Sequence, residues 1–146
     1  MDAPTFALDG FDRPLIARVY TDTRDVHVAR WNGVVWGLLA PSPDVPASLG
    51  ITNAATPQLA VSGDDRIFLV WDGDTPSGHS VYVGEWSETE KAWVGLRGSA
   101  SPDTVDLASI DGQWPGVTVV GQRLYVLWEE TVETGKVEIR IYQLPL

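Results

Sequence analysis

Pro57-Gln58-Leu59-Ala60-Val61-Ser62-Gly63 reads as one short strand, opened by a proline, closed by a glycine and alternating Leu59 and Val61 with smaller or more polar neighbours. The same pattern, Pro-x-apolar-x-apolar-x-Gly, recurs at Pro4 to Gly10 and at Pro115 to Gly121, so the chain contains an internal repeat. Phe6 and Leu8, and Val117 and Val119, fill the apolar slots of the other two copies. This run is strand a of each unit.

Each copy leads into a second apolar run that ends in an aromatic: Pro14 to Tyr20, Arg66 to Trp71 and Arg123 to Trp128 (strand b). A third run ends the same way: Val26 to Trp31, Ser80 to Trp86 and Lys136 to Tyr142 (strand c), with Val26/Val28, Val81/Val83 and Val137/Ile139 alternating. Two units add a strand d, Val34 to Leu39 and Ala92 to Leu96. Asn32-Gly33 joins c to d in the first unit, which predicts a type I′ hairpin because both turn residues tolerate positive φ. Four short antiparallel strands per unit with no helical pattern between them predict an all-β fold of three propeller blades, at about residues 4–40, 57–98 and 115–146 of one repeat domain.

The third blade ends without strand d, because Leu144-Pro145-Leu146 is too short to supply it. Eleven strands are therefore expected, with an edge that native sheets normally cover. Since propellers have at least about four blades, three imply completion by oligomerisation, and a two-fold homodimer closing six blades is the simplest solution. The units are joined by long Pro-, Ser-, Ala-, Asp- and Thr-rich stretches, Ala40 to Thr56 and Arg97 to Trp114, of a length that marks loops as functional or loosely ordered.

At strands c and d the first unit reads His27-Val28-Ala29-Arg30-Trp31-Asn32-Gly33-Val34-Val35-Trp36, and the second pairs Trp86 with Ala92-Trp93-Val94. This resembles bacterial propeller repeats that carry a Trp-Asn-Gly-x-x-Trp hairpin after a Pro-x-Leu-Ala-Val-x-Gly strand, and the likeness spans nearly the whole chain. The layout is also similar to fucose-binding propeller lectins, which assemble short chains into six blades and hold sugar with an arginine, a glutamate and an aromatic. Arg18 before Tyr20 matches that run, whereas the glutamate slot holds Val28, Val83 and Ile139, which argues against the fucose site. The Ser-x-Asp-x-Gly-x-x-Trp turn of sialidases does not occur.

Seven tryptophans in 146 residues are a high density. Tyr20, Trp31, Trp36, Trp71, Trp86, Trp93, Trp128 and Tyr142 fall at matching places in the repeat, which favours packing between blades over ligand stacking. Trp114 belongs to the linker before strand a and is the ring most available to a sugar or a cation. Acidic residues follow strand b in every unit: Asp22, Asp72 with Asp74, and Glu129 with Glu130. Trp71, Asp72, Asp74, Trp114, Trp128 and Glu129 are thus the candidate ligand-binding residues. Asp72-Gly73-Asp74 lacks the spacing of a calcium loop, so no metal is expected. Two histidines, His27 and His79, and the lack of any Gly-x-Ser-x-Gly or phosphate-loop run leave no catalytic constellation and no cofactor.

A net charge of −10 opposes binding to nucleic acid and to anionic membrane surfaces. No cysteine is present, and no apolar run reaches the roughly 18 residues of a membrane span. The chain reads as soluble and without a leader, which leaves its compartment open, an extracellular parent included. The expected function is a non-enzymatic binding or scaffold module that self-assembles and takes a glycan or protein ligand. The alternative is part of a propeller glycosidase whose two carboxylates meet only in the assembled ring.

Overall fold

Ile67-Phe68-Leu69-Val70-Trp71 contains no polar residue, and the structure buries all five side chains. A strand exposes alternate residues to opposite sides, so burial of every residue requires cover on both faces of the sheet. The computed structural model describes residues 3–76, 78–96 and 111–146, and in it this strand lies at the centre of the fold.

The described residues form eleven strands and no helix. In the first sheet β1 (Thr5–Leu8), β2 (Pro14–Tyr20), β3 (Asp25–Trp31) and β4 (Trp36–Leu38) pair in chain order, all antiparallel. β5 (Ala55–Val61), β6 (Ile67–Thr75), β7 (Gly78–Ser87) and β8 (Ala92–Gly95) repeat that meander. β9 (Asp111–Val120), β10 (Arg123–Glu133) and β11 (Lys136–Pro145) form a third, three-stranded one. A single parallel bridge, His79 to Asp111, joins the last two meanders into one seven-stranded sheet with β8 as a branch.

Two clusters hold the meanders together. Leu15, Ala17, Val26 and Val28 of the first pack against Leu69, Trp71, Tyr82, Trp86 and Trp93 of the second. The opposite face of the second, Phe68, Val70, Val81 and Val83, packs against Leu124, Val126, Trp128 and Leu144 of the third. At the first boundary an aliphatic face meets a ring-rich one, whereas at the second each face carries one buried ring, Phe68 and Trp128; large rings fill the space that twisted sheets leave. Trp93 also donates its indole N–H to the Leu39 carbonyl across the first boundary (2.8 Å).

Several expectations change in detail. The β3–β4 hairpin pairs Trp31 with Trp36, so residues 32 to 35 make a four-residue loop instead of a two-residue type I′ turn. The Asn32 carboxamide oxygen accepts the Val34 and Val35 N–H groups (2.9 Å each), and Gly33 supplies the positive φ. The β1–β2 and β5–β6 hairpins share one design: Asp12 and Asp65 take φ of 57° and 66° at the same turn position, and Asp9 and Ser62 cap it. Trp114 lies inside β9, at a bulge opposite β10, with φ 56°. Thr56, φ 43°, occupies the matching bulge of β5, again directly before a proline. Of the acidic residues expected after strand b, Asp72 and Asp74 lie within β6 and Glu129 and Glu130 within β10, while Asp22 does follow β2, in the turn before β3.

Hydrogen-bond register also divides the aromatic slots that sequence puts in one column. Counting along β3 and β7 from the Trp31–Trp36 and Trp86–Trp93 pairs, His27 stands where Tyr82 stands, and Arg18, its cross-strand partner, stands where Trp71 does. Trp128 keeps the place of Trp71, and its partner Arg140 the place of Tyr82, so Leu144 and not Tyr142 matches Trp86.

The connector from Ala40 to Ala54 is built into the core. Ala47, Ile51 and Ala54 join the first cluster, and the buried Ser48 hydroxyl accepts the Val26 N–H (3.1 Å). A Cβ at Gly73 would sit 2.5 Å from Ile51 Cγ2 and 3.1 Å from the Thr52 carbonyl, so only glycine lets the connector close on β6. The second linker, residues 97–110, lies outside the described residues. Gly73→Ala is expected to destabilise the fold by about 1–3 kcal/mol in urea unfolding, the usual cost of overpacking. An unchanged midpoint would mean that the connector does not seat there.

Candidate functional site

β6 and β7 stay paired beyond Trp71, as far as Thr75 and Gly78, and carry a polar cluster at their ends. The Asp72 carboxylate, almost fully buried, accepts the Thr56 hydroxyl and the Trp114 backbone N–H (3.0 Å), which ties the entries of β5 and β9 to one group. His79 lies between two carboxylates, with Nε2 3.4 Å from Asp72 and Nδ1 3.0 Å from Asp74. Asn53 donates to the other oxygen of Asp74 (2.5 Å). The hydrogen bond to Asp72, followed by that to Asp74, raises the His79 pKa to about 9 against the opposing effect of burial, so the imidazole is cationic at neutral pH.

This cluster brings Asp72, Asp74 and Trp114 together, three of the residues singled out from sequence. Their roles differ. The carboxylates are closed on partners within the chain, whereas the Trp114 side chain remains 60% exposed. Trp71 and Trp128 are buried in the two boundary clusters and present no ring face to solvent. Glu129 is exposed on the opposite face of β10 from Trp128. Its neighbour Glu130 is buried and bonded to Arg140 (2.6 Å). Asp22 sits in the β2–β3 turn and lines a shallow recess with Thr21 and Thr23.

A second arrangement lies on the face of the first sheet turned away from the second. A groove of about 400 Å³ runs over Ile16, Arg18, Tyr20, His27, Ala29, Trp36 and Leu38. Strand alternation produces it: Ile16, Arg18 and Tyr20 share one face of β2, and their neighbours in β3 and β4 bring His27, Ala29, Leu38 and Trp36 onto the same face. The Tyr20 ring stacks on His27 with centroids 4.1 Å apart. The Arg18 guanidinium lies 4.7 Å from the Tyr20 centroid and donates to its hydroxyl (3.1 Å). Trp36 tilts against Trp31 at 5.6 Å and stays about half exposed.

Burial holds the His27 pKa below its ordinary 6.5, Asp25 opposes this and Arg18 reinforces it, so the ring is neutral at pH 7. Its buried Nδ1 has no hydrogen-bond partner among the described residues. The groove thus combines one exposed cation, a phenol, two accessible ring systems and an apolar floor. The sequence pattern pointed Tyr20 and Trp36 to packing because they recur at matching places in the repeat, and it gave His27 no role. The available signal was Arg18, a charged residue standing where the second unit has the buried Trp71.

No protein-family model matches the chain, and no curated protein matches it either. Among solved structures it is similar to a fucose lectin from Kordia zhangzhouensis in complex with methyl-fucoside, at 13% identity and a TM-score of 0.54, covering 96% of this chain and 92% of the lectin. A glycoside hydrolase matches at 12% identity and a TM-score of 0.51, over 97% of this chain but 52% of its own length. A GH43 endo-arabinanase from Bacillus licheniformis aligns at 12% identity with a TM-score of 0.47. At these identities the first two likenesses show a propeller-type fold and nothing finer.

The two histidines are expected to titrate far apart in NMR, His79 near 9 and His27 below 6.5. Because the His79 pKa is raised by folding, its contribution to stability is complete below about 6.5 and disappears as pH rises through 9. The His27 contribution runs the other way, falling as pH drops below 6.5. His79→Gln should flatten the alkaline limb of the stability profile; an unaltered limb would show that the ring is not held by the two aspartates.

Proposed function

We propose that the three meanders are three propeller blades, the last without its outer strand, completed in a ring by a second copy, and that the chain is a non-enzymatic carbohydrate-binding module. The observation that carries this reading is the groove on the open face of the first sheet. A pyranose offers an apolar C–H face and a fringe of hydroxyls. Tyr20 and Trp36 supply ring surface for the first, and Arg18 with the Tyr20 hydroxyl supplies donors for the second. The groove volume lies within the range of small-ligand sites and suits a mono- or disaccharide.

Trp114 is a second exposed ring for stacking, its backbone held by Asp72, with Asp74 bonded to His79 in the same cluster and Glu129 paired with Gln113, the residue before it, while Trp71 and Trp128 serve packing. For the glycosidase alternative two carboxylates must face each other across an open pocket, roughly 5–10 Å apart. The closure of Asp72 and Asp74 on His79, Thr56 and Asn53 favours binding over that chemistry.

A glycan array is expected to yield saturable hits without release of reducing sugar. Tyr20→Ala and Trp36→Ala should each weaken the best hit by about tenfold or more, equivalent to about 1.4 kcal/mol, with the melting temperature nearly unchanged. Loss with Trp114→Ala instead would move the site to β9, and turnover of a hit would replace the binding reading with the enzymatic one.

A further inference from the structure

The two internal boundaries and the two outer faces of the stack are built from the same parts. At the first boundary the aliphatic residues Leu15, Ala17, Val26 and Val28 are covered by the ring-rich face of the second meander; at the second, Phe68, Val70, Val81 and Val83 are covered by the third. In hydrogen-bond register the next members of this series are Tyr125, Leu127, Ile139 and Ile141. Their counterparts in the first two meanders are at most 1% exposed, yet Leu127, Ile139 and Ile141 are exposed at 44%, 62% and 69%. At the other end of the stack, Phe6 and Leu8 occupy the register of Leu59 and Val61, which belong to the first cluster, and both are open to solvent.

Each open face is thus the unmatched half of a boundary that the chain already makes twice. The charges agree. At the first boundary Arg30 bonds Glu88 of the following β7–β8 hairpin (2.7 Å). On the open side Gln143 holds the register of Arg30, and the hairpin it would meet, Asn32-Gly33-Val34-Val35, carries no charge. Both members of the ion pair are absent together, so neither leaves a buried unpaired charge.

Resting on the blade reading above, we infer that these two faces are an interface between copies of this chain, formed head to tail, with the β10–β11 face of one copy packed on the open face of β1–β4 of the next. The contact is heterologous, joining unlike patches, so two copies close a ring through two identical contacts. The Tyr125, Leu127, Ile139 and Ile141 face then forms the second wall of the Arg18–Tyr20–Trp36 groove, and the ligand lies between copies.

Sedimentation at tens of micromolar should give twice 15.9 kDa for the wild-type chain. Phe6→Glu and Ile141→Glu alter residues that are exposed in the single chain, so both variants should fold, and each alone should sediment as a monomer. Mixing them restores one intact contact and should recover a dimer. A monomeric wild type overturns the inference. So does an Ile141→Glu monomer beside a Phe6→Glu dimer, which would mean that like faces pair. A dimeric mass with a blank glycan array would overturn the ligand reading and leave this one intact, and a sugar-binding monomer would do the reverse.

Discussion

The fold depends on β6 being buried from both sides. Leu69 and Trp71 point to the first meander and Phe68 and Val70 to the third, so neither neighbour can be removed without exposing large apolar side chains. Loss of a buried tryptophan of this kind costs about 3–5 kcal/mol, a large part of the marginal stability of a domain this size. Other features follow from that requirement. Gly73 must lack a side chain so that the connector can seat over the end of the strand, and Asp72 must be fully bonded because it continues a strand that admits no water.

The strand content was legible in the sequence because alternation, proline entries and glycine exits are local signals. β2 begins and ends where its apolar run does, and β3 lies within one residue of its own. Register was not legible. Tyr20 and Trp71 look equivalent because each closes strand b, but the hydrogen bonds put Arg18 in the Trp71 position, and a shift of two residues keeps the same face while changing the neighbour. The type I′ expectation failed for a related reason: the Asn32 side chain stabilises a longer loop, and the Trp31–Trp36 pair fixes its ends.

The site was half legible. Sequence located the carboxylates at the strand ends and the unusual Trp114, but could not foresee that Thr56, Asn53, His79 and the Trp114 backbone would close around Asp72 and Asp74. It assigned Tyr20 and Trp36 to packing between units, since nothing local distinguishes a covered ring from an exposed one. The difference between the His27 and His79 pKa values has the same origin: one ring is buried beside a cation and the other is held between two anions.

The first boundary joins unlike faces, aliphatic Leu15, Ala17, Val26 and Val28 to ring-bearing Trp71, Tyr82, Trp86 and Trp93, and this gives it a direction. A unit added in tandem at the C-terminal side would meet the surface it requires with no new side chains, whereas a unit turned around would set aliphatic against aliphatic. Growth of such a chain by duplication is therefore chemically permitted in one sense only, and its units can be multiplied but not inverted.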